Sequence, residues 1–339
     1  MGENKKVLLK VRNLKQWFPV NTMFFEKKKY VKAVNDVSFD LYEGEILGVA
    51  GESGCGKSTL IRSCLRLLNP TEGSIEFDGQ QIADAKLRDL RPIRKDMQII
   101  FQDPYASLDG RWTVRQLLEE PLIVNKLCAT KEERRDKINN LLDAVSISRE
   151  YINRYPHEFS GGQRQRVAIA SALATDPKLV MCDEPVSALD VSVRAQVLNL
   201  LKDLQEQRKL TYIFVSHDMS VIEYLCDRVA IMYLGKIVEI GDKDAIFNDP
   251  KHPYTKALLS AVPKVNGEAD SSKRIILEGD IPSPVDPPSG CVFRTRCKYA
   301  TERCAAVEPK MTDLGGGHCA CCHLLDAEQA VPAAATQSE

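Results

Sequence analysis

The sequence predicts an α/β fold in which a helical insertion interrupts the alternation of strands and helices. A short apolar run at 45–50 is typical of a buried strand, and a glycine-rich stretch and a helical run at 60–68 follow it. Apolar residues then recur at helical spacing from 113 to 174. From Lys178 onward strand-like and helix-like runs alternate again. Together these observations indicate one α/β domain with a helical insertion.

The first part of the chain predicts an antiparallel layer beside this domain. Runs at 7–11 and 33–41 alternate apolar and polar residues, which is typical of half-buried strands. The polar, lysine-rich stretch at 18–30 predicts a loop between them. A strand at 73–79 ends in an Asp-Gly turn, and residues 97–101 predict a further strand.

The pattern of apolar residues predicts helices in the insertion and strands and helices in the rest of the α/β domain. Val114, Leu117 and Leu118 share one helix face, and a later helix is expected to begin near Gly162. The elements predicted beyond the insertion are strands at 179–182, 212–215, 228–233 and 236–240 and a helix at 193–207.

Composition limits the classes of function. The chain has 339 residues, and its formal net charge of −1 gives no overall basic bias, so no nucleic-acid partner is expected. No apolar run approaches the ~18 residues that a membrane-spanning helix needs. We therefore expect a cytosolic chain whose membrane role, if it has one, depends on partners.

The central motif is the stretch 51–59, which matches G-x-x-x-x-G-K-[ST] between a predicted strand and a predicted helix. We call it the phosphate loop. Glycines let backbone N–H groups approach phosphates, and the following helix N-terminus adds partial positive charge. Lys57 would hold the β- and γ-phosphates, and the Ser58 hydroxyl would ligate Mg²⁺. The candidate phosphate-binding residues are Gly51, Glu52, Ser53, Gly54, Cys55, Gly56, Lys57, Ser58 and Thr59.

A second motif is the apolar run at 179–182, which ends in Asp183 and Glu184. Because side chains alternate along a strand, the two carboxylates would point in different directions. Asp183 would hold Mg²⁺, and Glu184 would orient or deprotonate the attacking water. The alternative is a strand end that happens to be acidic.

A third motif is the stretch 160–163, Ser-Gly-Gly-Gln, which we call the signature segment. Two glycines and a serine at a helix start form a second anion-binding end. A chain with its own phosphate loop has little need of it, so we expect Ser160, Gly162 and Gln163 to serve the nucleotide of another subunit. Taken alone, the stretch would be a plain helix cap.

These motifs resemble the ATP-binding subunits of ABC transporters over about residues 8–263. The resemblance implies a P-loop NTPase core of the RecA-like type, a dimer that sandwiches two ATP molecules, and Mg²⁺ as cofactor. It makes Gln102 a contact to Mg²⁺ and the γ-phosphate, and residues 187–190 the D-loop. It makes His217 the residue that holds the γ-phosphate and positions Glu184. Tyr30 is the candidate for stacking on adenine, with a surface tyrosine as the alternative.

Two further strings, at 98–108 and 252–259, resemble the oligopeptide/dipeptide importer ATPases, and the first is most like the second ATPase of such systems. This resemblance implies a second, non-identical ATPase, two membrane permeases and an external solute-binding protein. It places the chain at the cytoplasmic face of the membrane. Nickel and sugars are alternative solutes. The rival function is a soluble ABC ATPase that acts on nucleic acid or ribosomes.

Six of the 11 cysteines lie at or beyond Cys291. Such clustering in a cytosolic chain favours metal binding over disulfides. Thiolates suit a [4Fe–4S] cluster, and the resemblance to the importer ATPases places one on Cys291, Cys297, Cys304 and Cys322. A zinc site and a metal-free tail remain as alternatives. Arg294, Arg296 and Arg303 would line the cluster edge or be solvated.

The expected domain division follows from these motifs. An ATP-binding domain would cover residues 1–263, with its helical part at about 105–175. A C-terminal extension would cover residues 264–325 and carry the cysteines. The remaining residues, 326–339, are small and polar and predict a disordered tail.

Overall fold

The computed structural model describes residues 6–20, 28–262 and 275–329. In chain order its strands and α-helices are β1 (Val7–Val20), β2 (Lys29–Tyr42), β3 (Ile46–Ala50), α1 (Lys57–Cys64), β4 (Glu72–Phe77), β5 (Gln80–Gln81), α2 (Leu87–Arg94), β6 (Met97–Ile100), α3 (Pro104–Ser107), α4 (Val114–Val124), α5 (Lys131–Ala144), α6 (Gly161–Leu173), β7 (Leu179–Asp183), α7 (Val191–Arg208), β8 (Thr211–Ser216), α8 (Met219–Leu225), β9 (Arg228–Tyr233), β10 (Lys236–Asp242), α9 (Lys243–Asn248), α10 (Pro253–Ser260), α11 (Glu302–Ala306), β11 (Thr312–Asp313), β12 (Cys319–Ala320) and α12 (Leu324–Gln329).

The larger sheet carries the α/β core that the sequence predicts. Its order in the described ranges is β11-β12-β10-β9-β3-β8-β7-β6, and the strands β9, β3, β8, β7 and β6 run parallel to one another, whereas β10 is antiparallel to β9. Side chains alternate between its two faces. On β7, for example, Val180 and Cys182 pack into one hydrophobic cluster, whereas Met181 packs into the other. Both faces are therefore covered, and the carboxyl ends of the parallel strands lie along one edge.

The predicted antiparallel layer is a second sheet of order β2-β1-β4-β5. It shares a core with α1 and with one face of the parallel sheet. The Asp-Gly turn predicted after residue 77 joins β4 to β5, with Asp78 and Gly79 at φ of 46° and 80°, as a tight hairpin of this type requires.

The helical insertion lies between β6 and β7 and consists of α3, α4, α5 and α6. Thr113 and Thr130 start α4 and α5 with capping boxes, so in each helix the N–H of the third residue and that of the threonine itself are satisfied. Leu118, Leu142 and Ile169 lie in the hydrophobic cluster that also covers one face of the parallel sheet. The insertion thus shares its core with the parallel sheet.

The loop predicted at 18–30 is shorter than expected. β1 continues through Phe18 to Val20, and β2 begins at Lys29, with Phe18 opposite Val31. The aromatic and β-branched residues at these positions favour strand, and they outweigh the lysines that predicted a loop. Residues 21–27 of that prediction lie outside the described residues.

The described part of the C-terminal extension begins at residue 275 and joins the larger sheet. β12 pairs with the outer strand β10, Ala320 opposite Glu239. Val292 and Phe293 pack into the main core. The first residues of the predicted disordered tail, 326–329, are helical because α12 extends through them; residues 330–339 lie outside the described residues. Within the described ranges, no helix is both long enough and apolar enough to cross a membrane.

Candidate active site

The phosphate loop lies between β3 and α1, at the carboxyl edge of the parallel sheet. Gly56 has a φ of 106°, and a side chain there would start 2.0 Å from the carbonyl oxygen of Ala33. No side chain caps the helix start at Gly56, and the first turn of α1 carries no acidic residue. The backbone N–H groups of this turn are therefore available to an anion.

Lys57 points back into the phosphate loop. Lys57 is only 5% exposed. Its Nζ donates hydrogen bonds to the carbonyl oxygens of Gly51 at 2.8 Å and Glu52 at 3.0 Å. The same Nζ lies 4.0 Å from Oε1 of Glu184. The ammonium group is thus held at the loop, next to the carboxylate that the sequence predicts as the base.

Ser58 and Asp183 meet as the Mg²⁺ prediction requires. Ser58 Oγ donates to Asp183 Oδ1 at 2.6 Å, and Asp183 is 1% exposed. Arg62, one turn further along α1, donates to Asp183 Oδ2 at 3.1 Å. Hydroxyl and carboxylate oxygens are the ligands that Mg²⁺ prefers, so this pair fits the predicted ion. Arg62 was not predicted, although its spacing from Ser58 places both residues on one helix face.

The backbone of Glu184 is held in an unusual conformation. It has a φ of 49°, a conformation that costs a non-glycine residue about 1–3 kcal/mol and is typical of functional positions. Its N–H donates to Val215 O at 3.2 Å, and Ser187 Oγ donates to its carbonyl oxygen at 3.0 Å. These bonds fix the backbone, so the carboxylate has a defined direction.

His217 and Gln102 both reach the Glu184 carboxylate. His217 Nδ1 lies 3.1 Å from Oε2, and because a carboxylate only accepts, Nδ1 carries the hydrogen of this bond. Gln102 Nε2 donates to the same oxygen at 3.4 Å and to Ser187 Oγ at 3.3 Å. The structure therefore brings together Lys57, Glu184, His217 and Gln102, which are far apart in the sequence.

The signature segment forms the start of α6. Ser160 and Gln163 form a capping box with each other at the start of α6, with Gln163 N donating to Ser160 Oγ at 3.3 Å. Gly162 packs against α7, where a side chain would start 2.3 Å from Cγ1 of Val193. Within this chain these residues are paired with each other and with α7, and Ser160 is exposed.

Tyr30 lies beside an aromatic residue that the sequence analysis did not single out. Its ring centroid is 6.3 Å from that of Trp17. The ammonium groups of Lys15 and Lys32 lie 5.5 Å and 5.2 Å from the Trp17 ring. The pairing of β1 with β2 places Trp17 opposite Lys32. A tryptophan directly before the polar stretch 18–30 was the available signal for this group.

Arg296 occupies neither of its predicted surroundings. It is not solvated, since its side chain is 8% exposed, and it does not line a metal cluster. Instead its guanidinium donates to the Glu52 carboxylate of the phosphate loop, at 2.7 Å and 3.2 Å. The sequence gives no local signal for this contact because the two residues lie far apart in the chain.

The predicted [4Fe–4S] cluster on Cys291, Cys297, Cys304 and Cys322 is wrong. Across the three described ranges, no group of three or more His, Cys, Asp or Glu side chains is arranged to hold a metal ion, which argues equally against zinc. Burial raises the pKa of the Cys291 thiol to about 11. The extension also needs no metal staple, because it pairs with β10 and buries Phe293.

Two family models match the chain. One is described as ABC transporter and covers residues 34–187. The other is described as the C-terminal region of the oligopeptide/dipeptide transporter and covers residues 238–304. The second match spans β10 and much of the C-terminal extension.

Curated proteins are similar over nearly their whole length. The oligopeptide transport ATP-binding protein AppF of Bacillus subtilis (strain 168) is 48% identical over 324 residues, which cover 95% of this chain and 98% of that protein. The dipeptide transport ATP-binding protein DppF of Escherichia coli (strain K12) is 50% identical over 316 residues, 93% of each chain.

Among solved structures, the dimeric post-hydrolysis state of the ATP-binding cassette MJ0796 bound to ADP and Pi matches with a TM-score of 0.63 at 31% identity. It covers 70% of this chain and 99% of that chain. CbiO1 from Clostridium perfringens, part of the ABC transporter complex cbiONQ, matches with a TM-score of 0.62 at 28% identity and covers 72% of this chain and 92% of that chain.

Proposed function

The chain belongs to the ABC transporter family, among the oligopeptide/dipeptide transport ATP-binding proteins, and we propose that it hydrolyses ATP to energise the import of peptides across the cytoplasmic membrane. Membership makes it an ATP hydrolase. That the solute is a peptide follows from the relatives' names and from the matched C-terminal region, and nickel and sugars remain the alternatives.

One observation carries the proposed chemistry: Glu184 lies 3.1 Å from His217, 3.4 Å from Gln102 and 4.0 Å from Lys57. Glu184 orients a water and accepts its proton as the water oxygen attacks the γ-phosphorus, and the bond to the β-phosphate oxygen breaks to release ADP. His217 holds the carboxylate in place, and Lys57 stabilises negative charge on the transferred group.

The remaining site residues bind and orient the nucleotide. Residues 51–59 cradle the phosphates, and Tyr30 stacks on adenine. Ser58, Asp183 and Gln102 would hold Mg²⁺, which when bound neutralises charge on the phosphates. The 2.6 Å contact between Ser58 and Asp183 supports their share of this assignment.

We propose that the working form is a heterodimer with a second, homologous ATPase. In it Ser160, Gly162 and Gln163 complete the nucleotide site of the other subunit. Two observations support this: the signature segment is capped by its own side chains at an exposed helix start, and the similar cassette MJ0796 is described as dimeric in its ADP- and Pi-bound state.

The further partners are two transmembrane permeases and, indirectly, an external solute-binding protein, so that the chain works at the cytoplasmic face of the membrane. We also propose the domain division given by the sequence, an ATP-binding domain at 1–263 followed by the C-terminal extension. The helical part at about 105–175 would receive the permeases.

Co-purification tests the transport assignment. The chain is tagged at its N-terminus, membranes are extracted in mild detergent, and the proteins that remain bound are identified by mass spectrometry. We expect two permeases and a non-identical ATPase, and ATP turnover of the reconstituted complex should rise with peptide-loaded binding protein. If only nickel-loaded or sugar-loaded binding protein stimulated ATP turnover, the transported solute would be nickel or a sugar and not a peptide. Recovery only with ribosomes or nucleic acid would refute the transport function.

A further inference from the structure

The C-terminal extension contacts the phosphate loop directly. Arg296 Nη1 donates to Glu52 Oε2 at 2.7 Å and Nη2 donates to Oε1 at 3.2 Å. The Arg296 side chain is 8% exposed and the Glu52 side chain 26%. A two-pronged arginine–carboxylate pair of this kind is stronger and more directional than a single hydrogen bond, so it can fix the position of the loop.

The backbone of Glu52 is held by a residue of α10 that packs against the C-terminal extension. Its N–H donates to Tyr254 Oη at 2.9 Å. The Tyr254 ring packs against Phe293 of the C-terminal extension, with ring centroids 5.4 Å apart. Phe293 also contacts Tyr233 at the end of β9, 5.2 Å between centroids. Glu52 is therefore anchored twice, once through its carboxylate and once through its backbone.

The pair also matters for charge. Glu52 belongs to the loop that receives the phosphates of ATP, and its carbonyl oxygen already accepts a hydrogen bond from Lys57 Nζ at 3.0 Å. An unpaired carboxylate at this position would repel a polyphosphate and would compete for Lys57. The planar guanidinium of Arg296 carries a permanent positive charge. It therefore neutralises the charge of Glu52 from its position on the C-terminal extension.

We propose that Arg296 is a positioning residue of the ATP site, through which the C-terminal extension holds the phosphate loop and sets its affinity for nucleotide. The proposal rests on ATP binding by this chain and not on the identity of the transported solute. Loss of Arg296 should act on nucleotide binding first, because the residues that perform hydrolysis are not among its contacts.

The test measures binding of Mg·ATP and of a non-hydrolysable ATP analogue to the purified full chain. Arg296→Gln is expected to weaken binding roughly tenfold, the size expected for a lost hydrogen bond to a charged group. Adding Glu52→Gln to that variant should restore binding to within about threefold of the wild type, because it removes the unpaired charge. Arg294→Gln is the matched control: Arg294 donates to Ser289 within the extension and should leave binding unchanged.

A purely structural role for Arg296 makes a different prediction. The melting temperature of the nucleotide-free chain would then be lowered in the single and the double variant alike, and ATP affinity would not recover in the double variant. That result would overturn the proposal. Wild-type affinity in a folded Arg296→Gln chain would also overturn it. If that variant does not fold, Arg296→Lys replaces it, with an expected loss of about threefold from the missing fork and recovery on adding Glu52→Gln. Failure of the wild-type chain to bind ATP would instead refute the nucleotide site itself.

Discussion

Replacing Glu184 by glutamine is expected to remove most of the ATP turnover and to leave ATP binding intact. The amide has the shape of the carboxylate, and its oxygen can accept the hydrogen bonds from His217 Nδ1 and Gln102 Nε2. The surroundings of the attacking water are therefore kept. An amide cannot take the proton of that water, however, so the variant isolates the role of the base.

The size of the effect follows from that role. A positioned general base contributes about 10²–10⁴-fold to the rate, and we expect kcat to fall by that factor. Binding should be unchanged or tighter, because the change also removes a negative charge 4.0 Å from Lys57 Nζ. The Lys57 ammonium is then no longer attracted to a carboxylate at residue 184 and is freer to interact with the phosphates.

The assay combines phosphate release by the purified transporter complex with nucleotide titration of the full chain. Glu206→Gln, an exposed acid on α7, is the matched control and should change neither quantity. Undiminished phosphate release by Glu184→Gln would refute the assignment of the base. Loss of ATP binding in parallel with turnover would show that the carboxylate serves to build the site.

Three further changes test the packing and the ligands. Ser58→Ala removes the hydroxyl 2.6 Å from Asp183, so the gain in ATP affinity on adding Mg²⁺ should shrink roughly tenfold; titrations with Mg²⁺ and with EDTA measure it, and equal gains in variant and wild type would contradict it. Gly162→Ala places a Cβ 2.3 Å from Val193 Cγ1 and should lower the free energy of unfolding in urea by about 1–3 kcal/mol. Val193→Ala in the same chain should return part of the loss, and an unshifted midpoint for Gly162→Ala alone would show that α6 and α7 move apart easily. Burial lowers the pKa of His252 to about 3, so stability is complete above the unfolded pKa near 6.5 and falls as the pH drops below it, by at most about 1.4 kcal/mol per pH unit. His252→Asn, which keeps an acceptor at the start of α10, should reduce the change of the urea midpoint between pH 7 and 5. If the midpoint of the variant changes with pH as much as that of the wild type, other titratable groups cause the dependence.

Local patterns predicted much of the fold and of the site. The strand, glycine turn and helix around Lys57 are specified by neighbouring residues, and so is the acidic end of β7. His217 and Gln102 both contact Glu184, and the roles that the family resemblance implies for them toward the γ-phosphate and Mg²⁺ stay predictions. Their positions were predictable because each follows a strand of the same parallel sheet, and such strand ends meet at one edge.

What could not be predicted depends on contacts between distant segments. Arg296 looked like one of several arginines near cysteines, and only the docking of the C-terminal extension brings it to Glu52. The metal-cluster prediction failed for the same reason, since spacing along the chain does not say whether the folded cysteines are arranged to hold a metal ion. The two-residue strand β12 is too short to leave a period in the sequence, and its pairing with β10 is fixed by the tertiary fold.

The order of strands in the larger sheet has a consequence for synthesis of the chain. β3, which leads into the phosphate loop, pairs with β8 and β9, and both leave the ribosome long after it. At ~5–20 residues per second, the delay is roughly ten to thirty seconds. During that time β3 lacks both neighbours, and the carbonyl oxygen of Cys55 lacks the N–H of Gly235 that holds it. A nascent or truncated chain that ends before β9 therefore lacks that strand and the Gly235 N–H that holds the phosphate loop, and we expect it to bind ATP more weakly than the full chain.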